Sequence, residues 1–553
     1  MSKLKYIFIS GGVISGIGKG ITSASIGYLL QSAGYKVAPI KFEGYLNIDA
    51  GTINPIEHGD PFLCEDGTET DMDIGTYEKF LGKFMNRDNF VTMGQIYQSI
   101  IQKERRFEYE GEDVEAVHIS NEIIEKIQNV AKKQKAEIVL IELGGTAGEY
   151  WNVFFYEASR ILTLQNPGDV VHVHVSYVPT PLHLGEPKTK PTQLSVRTLN
   201  SMGVQPDFIV ARSETYIDQR RRDRFALFCN VKGDDIISNP DCKSVYEVPL
   251  ILHDQKMDEK ILKKLGIPLK KPDLSELQSL NTSIQLVKTM ETREVVIAGK
   301  YFGTGDYQLK DSYAALFDAI DHASWKVGVK IKTHWIDAET IEKKGVSVMG
   351  SPAGIIVPIG WGNRGALGMI EAANFAREQK IPYLGLCYGM QLAVVAFARY
   401  VLGWSDADTS ENNQSSPHQV VHLIPSQQKV LDKRAYGGSM RLGGWEAFVK
   451  KGTIAYDAYE TYHGFIDKST GLTSERHRHR WEVNNAYVAD LERAGLIISA
   501  YSKLEHLVEI IELPKKIHPF YLGTQGHPEY KSSPWQPHPL FMAYLEVVKS
   551  NKR

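Results

Sequence analysis

Residues 5–30 read KYIFISGGVISGIGKGITSASIGYLL, and this stretch decides the fold class. KYIFIS is a short apolar run with strand character. ITSASIGYLLQSAGY, residues 21–35, has helical spacing and stops near Gly34. Between them lies Gly11-Gly12-Val13-Ile14-Ser15-Gly16-Ile17-Gly18-Lys19-Gly20. Glycines let the backbone fold tightly and aim several N–H groups at one anion, and the start of the next helix adds its positive dipole end. Strand, glycine-rich loop and helix in that order predict a phosphate loop at the carboxyl edge of a parallel sheet, with Lys19 reaching the outer phosphates. The strict pattern GxxxxGK[ST] is not met. Val13 stands where its first glycine belongs, and Gly20 follows the lysine. Taken alone, the segment also reads as an ordinary glycine-rich turn.

Working outward, KVAPIK, AEIVLIEL, VVHVHVSYV, DFIVARS and FALFCNV read as further strands separated by helical stretches. A second series follows, with REVVIAGKY, GIIVPIG, IPYLGLC and VEIIELP as strands, and IEAANFAREQK and GMQLAVVAFARYV as helices. Such alternation predicts an α/β protein of two doubly wound parallel-sheet domains. The boundaries fall at residues 1–267 and 293–553, with a proline- and charge-rich connection over 268–292 that has room for one helix. SENNQSSPHQ, residues 410–419, is the best candidate for a mobile loop.

The chain has 553 residues, 42% of them hydrophobic and 23% charged, so sizeable cores are affordable and wholesale disorder is excluded. A net charge of -3 offers no global positive field for nucleic acid or an anionic membrane. Four cysteines, none in a CxxC pair, suggest a reducing compartment. With no signal peptide and no apolar run long enough to span a bilayer, the expectation is a cytoplasmic protein with small-molecule substrates.

Two carboxylates could complete a nucleotide site. Asp73 lies in an acidic loop, and Glu142 ends the apolar strand EIVLIE. Magnesium favours one or two carboxylates together with phosphate oxygens and water. Lys188-Thr189-Lys190-Pro191-Thr192-Gln193 offers cations, hydroxyls and an amide on an extended, proline-stiffened segment suited to a second phosphate group, or else forms an exposed loop. Arg220-Arg221-Arg222 reads as a solvated helix face. In the second half, Gly385-Leu386-Cys387-Tyr388-Gly389 joins a strand to an apolar helix. This is the cysteine form of the GxSxG elbow, with the nucleophile exposed at the apex, negative charge on sulfur favoured by the helix start, and N–H groups placed for an oxyanion. Far downstream, His527-Pro528-Glu529 supplies a base and its orienter. Arg476-His477-Arg478-His479-Arg480 alternates on a strand; interleaved cations disfavour a metal there and suit an anionic ligand or an acidic partner surface.

Ordered motifs carry a resemblance over nearly the whole chain. GGVISGIGKGI, YLNIDAGT, EDGTETDMDIGTYEKF, GEPKTKPTQLSVR, LGLCYGMQ, GGSMRLG, ERHRHRWEVNN and GHPEY resemble the CTP synthase family. The resemblance implies an N-terminal amidoligase (synthetase) domain joined to a C-terminal class I glutamine amidotransferase domain. ATP would phosphorylate the UTP 4-oxygen, and ammonia released from glutamine would cross a tunnel and displace the phosphate, giving CTP. It further implies Mg2+, GTP as an activator and a homotetramer. Carried over by position, Gly16, Ile17, Gly18, Lys19, Gly20 and Ile21 would hold ATP, with Asp73 and Asp241, while Asp73 and Glu142 would hold the metal. Ser15, Lys41, Lys188 to Gln193 and Arg224 would bind the acceptor nucleotide. Cys387, His527 and Glu529 would be catalytic. Gly360, Tyr388, Gly389, Met390, Gln391, Glu411 and Arg480 would bind glutamine, and Arg364 lies in the loop linked to GTP activation.

The chain departs from the family pattern at several places. The family's GGTxGDIES becomes Gly144-Gly145-Thr146-Ala147-Gly148-Glu149-Tyr150-Trp151-Asn152, which removes a ribose-directed carboxylate and adds an indole. KxDPYLN becomes Lys41-Phe42-Glu43-Gly44-Tyr45-Leu46-Asn47, GEVFV becomes Gly59-Asp60-Pro61-Phe62-Leu63, and PGGFG becomes Pro358-Ile359-Gly360-Trp361-Gly362. Arg224 replaces a usual lysine. Both catalytic engines are kept, while the changes gather where the pyrimidine is read. UTP is therefore the default acceptor, and a different acceptor in a specialised pathway is the alternative.

Overall fold

Alternation along the buried strands separates two packing faces in each half of the chain. The computed structural model describes residues 3–54, 59–304, 307–308, 310–433 and 437–551. By packing, the chain divides into one unit built from residues up to Asp49 together with Thr76–Asn281, and a second built from Ala50–Gly75 together with Thr282 onward.

The first unit holds a seven-stranded sheet in the order Phe90–Thr92, Val37–Glu43, Ile138–Leu143, Lys5–Gly12, Val170–Tyr177, Phe208–Ser213, Ile236–Pro240. Every pairing in it is parallel. Tyr6, Phe8, Ile40, Phe42, Val139 and Ile141 pack on one face against helices Ala116–Gln134 and Val153–Gln165. On the other face the helix Lys19–Ser32 lies so close that a side chain at Gly27 would strike Leu140.

The second unit carries a nine-stranded sheet. Lys330–Asp337, Thr292–Gly299, Gly354–Val357, Tyr383–Leu386 and Tyr521–Thr524 are parallel neighbours in that order. Val508–Glu512, Ile497–Ser502, Arg441–Val449 and Leu472–His479 extend it antiparallel, so the parallel core continues into an antiparallel wing. Val295, Ile297, Ile356 and Leu384 face one core; Val296, Ala298, Ile355 and Val357 face the other. This period-two split, with helices over both faces, is the doubly wound arrangement. Among the described residues no helix is long and apolar enough to cross a membrane.

Two local expectations are corrected. FALFCNV is not a strand, because Gln219–Cys229 is helical. The Asp218 side chain caps this helix by accepting the Arg221 N–H. Phe225 and Cys229, four residues apart, turn inward while Leu227 stays 76% exposed. A β-rich composition misleads where a helix needs only one apolar stripe. SENNQSSPHQ is tied down rather than loose: the Ser416 hydroxyl donates to the Asp406 carbonyl, the Ser410 N–H to Val421, and Glu411 accepts the Gly362 N–H. The 268–292 connection does contain a helix, Ser275–Val287.

Candidate active sites

The phosphate loop forms as its sequence requires. Gly16 and Gly18 adopt φ of 70° and 87°, and Gly18 immediately precedes the helix beginning at Lys19. Val13 adopts φ 81°, which β-branched residues rarely visit. The loop thus takes the left-handed turn where the strict pattern places glycine, at the cost of local strain. Lys19 Nζ donates to the Gly145 carbonyl at 2.7 Å, and its aliphatic stem lies against Gly11. Beneath the loop, His174 bridges Ser10 and Ser195 at 2.9 Å each. Burial, helped by the Lys19 charge, pushes its pKa down to about 3, so a neutral ring supports the strand end.

Glu142 sits at the carboxyl end of its strand and is 1% exposed. Its carboxylate accepts the Tyr77 hydroxyl at 2.7 Å and lies 4.0 Å from Lys41 Nζ, beside it in register. Lys41 also pairs with Glu43 at 2.9 Å. Asp73 stands in the first turn of the helix Met72–Leu81. Hard carboxylate oxygens fit magnesium at each position.

The Lys188–Gln193 segment is not extended throughout, because Lys190 opens the helix Lys190–Ser201 with Pro191 in its first turn. Proline suits that position since its missing N–H is unneeded there. Thr192 is buried against Ser176, and Gln193 bonds Thr189 within the turn. Lys188, Thr189, Lys190, Arg220, Arg221 and Arg224 line a cavity of about 370 Å³. Arg221 is not on a solvated face: it donates to the Pro187 carbonyl at 2.8 Å and pairs with Glu186 at 3.0 Å. Sequence spacing could not show that this helix runs beside the lysine segment. Asp241 pairs with Arg212 at 2.6 Å. Ser15 and Ile17 belong to the loop, and Ile17 is buried.

In the departing loop, Glu149 folds back and accepts from both the backbone N–H and the hydroxyl of Thr146, at 2.6 and 2.8 Å. Tyr150 is left 91% exposed. A side chain at Gly44 would meet Asn152 Oδ1 at 2.7 Å and Trp151 Cβ at 3.0 Å. Two departures, Gly44 and Trp151, therefore accommodate each other.

Cys387 occupies the elbow with φ 52° and ψ -102°, just before the helix Tyr388–Tyr400. It is buried, 2% exposed, where the motif predicts an exposed apex. Gln525 covers it, donating to the sulfur at 3.4 Å, and the sulfur faces the Arg478 carbonyl at 4.0 Å. His527 Nδ1 bonds Glu529 at 2.8 Å. Burial opposes charge on the imidazole, but Glu529 and then Cys387 outweigh it and push its pKa up to about 10. The ring is therefore an imidazolium at neutral pH, with its Nε2 buried.

Around this pair, Lys300 donates to the Gly362 carbonyl at 2.6 Å, also reaches that of Trp361, and lies 5.1 Å from the Tyr388 ring centre. Glu411 accepts the Gly362 N–H at 2.7 Å. A side chain at Gly360 would strike Lys300 and Tyr388, so this loop needs glycine. Burial pushes Glu411 up to about 7, against the Gly362 N–H and Lys300. Burial likewise pushes Lys300 down to about 8, against Glu411. Arg364 donates to Glu339 at 2.8 Å and to the Lys300 carbonyl. Gly389 approaches the Val357 backbone, Met390 lies in the core, and Gln391 bonds Trp481 and Gln525. Arg480 donates to Gln427 and Ser439. Lys300, Gln525 and Tyr77 were not singled out from sequence, although Lys300 lies within REVVIAGKY, Tyr77 lies within EDGTETDMDIGTYEKF and Gln525 directly precedes GHPEY; no residue type in those stretches marks them apart from their neighbours.

The alternating arginines meet an acidic surface from the chain's own residues 59–75. Arg476, fully buried, pairs with Glu65 at 3.1 Å. Arg478 pairs with Glu69 at 2.6 Å and Asp60 at 3.4 Å. His477 and His479 point the other way, bonded to each other and to Arg441, which pairs with Glu509. Burial keeps both imidazoles neutral.

Comparison with known proteins agrees with this division of chemistry. Residues 5–267 match the family described as CTP synthase N-terminus, and residues 308–547 match glutamine amidotransferase class-I. Fold and matches together define the class, an ATP-dependent ligase that takes its nitrogen from glutamine. CTP synthase of Pyrococcus furiosus is 44% identical over 99% of this chain and 98% of its own length. That of Caldanaerobacter subterraneus is 44% identical over 99% of both chains. That of Thermus thermophilus is 44% identical over 98% of this chain and 96% of its own. The chain belongs to the CTP synthase family.

Proposed function

We propose that this chain makes CTP from UTP, ATP and glutamine. The observation that carries the reading is a phosphate loop and basic cavity in one unit and a Cys-His-Glu site in the other. Near-full-length similarity to CTP synthases supports the choice of acceptor. Gly16 to Ile21, Asp73 and Asp241 hold ATP, and Glu142 and Asp73 hold magnesium. The metal supplies charge neutralisation during phosphoryl transfer. Lys19 stabilises the transferred phosphate, and Ser15, Lys41, Lys188 to Gln193 and Arg224 hold the acceptor nucleotide. Cys387 attacks the glutamine amide carbon as its thiolate, the carbon–nitrogen bond breaks, and the protonated His527 gives its proton to the departing ammonia. Gly360, Tyr388, Gly389, Met390 and Gln391 surround the substrate through backbone and packing, while Glu411 and Arg480 take its charged end. The domains run 1–267 and 293–553, the assembly is a cytoplasmic homotetramer, and GTP activates through the Arg364 loop.

The test combines purified protein, ATP, Mg2+, GTP and UTP with glutamine labelled at the amide nitrogen, and reads products by mass spectrometry. Labelled CTP is expected. Glutamine hydrolysis and ATP cleavage without CTP would reject UTP as the acceptor.

A further inference from the structure

The amidotransferase match begins at residue 308, yet a carboxylate from residue 60 lies beside the triad. Asp60 packs in the same unit as Cys387 and is buried. Its Oδ2 accepts the Tyr530 hydroxyl at 2.8 Å, and its Oδ1 faces Arg478 Nη1 at 3.4 Å. Tyr530 directly follows Glu529, and its ring stacks on the His527 imidazole at 5.2 Å and 22°. The Pro61 carbonyl stands 3.1 Å from the same hydroxyl, and Phe62 meets the ring edge-on at 5.4 Å.

His527 is otherwise held by Nδ1 on Glu529 and by its backbone N–H on the Arg476 carbonyl. Neither contact stops the imidazole from tilting about its bond to Glu529; a ring stacked on its face does. Tyr530 can resist that tilt because its far end is anchored at Asp60. Arg478 ties the same carboxylate to the other reacting group, since its own carbonyl faces the Cys387 sulfur. Burial pushes the Asp60 carboxyl up, and the Arg478, Tyr530 and His527 contacts oppose that shift by favouring its charged form.

We infer that Asp60 is a positioning residue of the glutaminase site, fixing the plane of the His527 ring through Tyr530 and the backbone beside Cys387 through Arg478. The inference rests on the proposed glutaminase role of Cys387, His527 and Glu529. It places a determinant of glutamine hydrolysis in the stretch that matches the synthetase family, outside the amidotransferase match. Because Glu411 and its loop bind glutamine at a separate point, a misaligned base slows turnover without loosening the substrate.

The test measures kcat and KM for glutamine hydrolysis, with melting temperature, in full-length Asp60→Asn, Tyr530→Phe and the double variant. Each single change is expected to lower kcat about tenfold with KM within about twofold. The double should be no slower than the slower single, because the Tyr530 hydroxyl acts only through its hydrogen bond to Asp60, which Asp60→Asn already disturbs. Tyr530→Phe removes only a hydroxyl and answers even if Asp60→Asn does not fold. Wild-type kcat in the singles, or losses that multiply in the double, would overturn the inference while leaving the proposed function intact. A wild-type chain that hydrolyses no glutamine would sink the proposed function and this inference together.

Discussion

With Glu411 taking the charged end of glutamine as proposed, Glu411 and Lys300 are expected to make glutamine capture sensitive to pH within a narrow range. Glu411 carries its charge only above about pH 7, and Lys300 only below about pH 8. Both are charged together between those values. Below the lower one the carboxyl takes a proton and loses its attraction for a substrate ammonium. Above the upper one the lysine loses the charge that grips the Trp361 and Gly362 carbonyls. The imidazolium of His527 persists to about pH 10, so it does not produce either limb. We expect kcat/KM for glutamine to peak between about pH 7 and 8, with KM rising on both sides. A flat glutamine KM across that range would refute the pairing. Cys387→Ala should abolish glutamine-dependent synthesis and leave the ammonia-dependent reaction near its original rate; loss of both would contradict separate sites for the two steps.

At the scale of elements, the loop after Glu142 is expected to set the response to product. Glu149 spends its carboxylate on Thr146, and Tyr150 and Trp151 stand outward where the family pattern has an isoleucine and a second acid. CTP should therefore inhibit weakly, read as an inhibition constant well above that of an ordinary family member. Restoring the family sequence at Glu149-Tyr150-Trp151 should tighten it only if Gly44 is changed as well, because the two segments touch. How far sequence reaches is clear at this scale. The phosphate loop and the cysteine elbow were legible because strand, turn and helix are local and each imposes its own residue types. FALFCNV was misread because the Asp218 cap that starts its helix lies seven residues upstream. The lysine segment was misread as extended although Pro191 fits a helix start equally well.

For the molecule as a whole, the alternating strands and helices announced the α/β architecture, and period-two burial carried it through. The antiparallel wing and the burial of Cys387 were not legible, since both depend on which distant strands and side chains meet. The contact of Asp60 with Arg478 spans 418 residues of sequence. Alternating arginines told that one face of a strand wanted anions; nothing local told that residues 59–75 would supply them.

That pairing bears on how such a gene can be inherited. The two family matches divide the chain between residues 267 and 308, a seam where a fusion of two ancestral genes would be cut apart again. A cut there leaves the acidic hairpin Phe62–Thr70 on one fragment and Arg476 and Arg478 on the other. A buried cation stripped of its partner costs about 3–5 kcal/mol, a large share of a domain's net stability. Recombination that swaps the glutaminase half alone would meet that penalty unless the newcomer carried arginines matched to the resident acids. The hairpin and the arginine strand are thus expected to travel through evolution as one inherited block, although the chain places them at opposite ends.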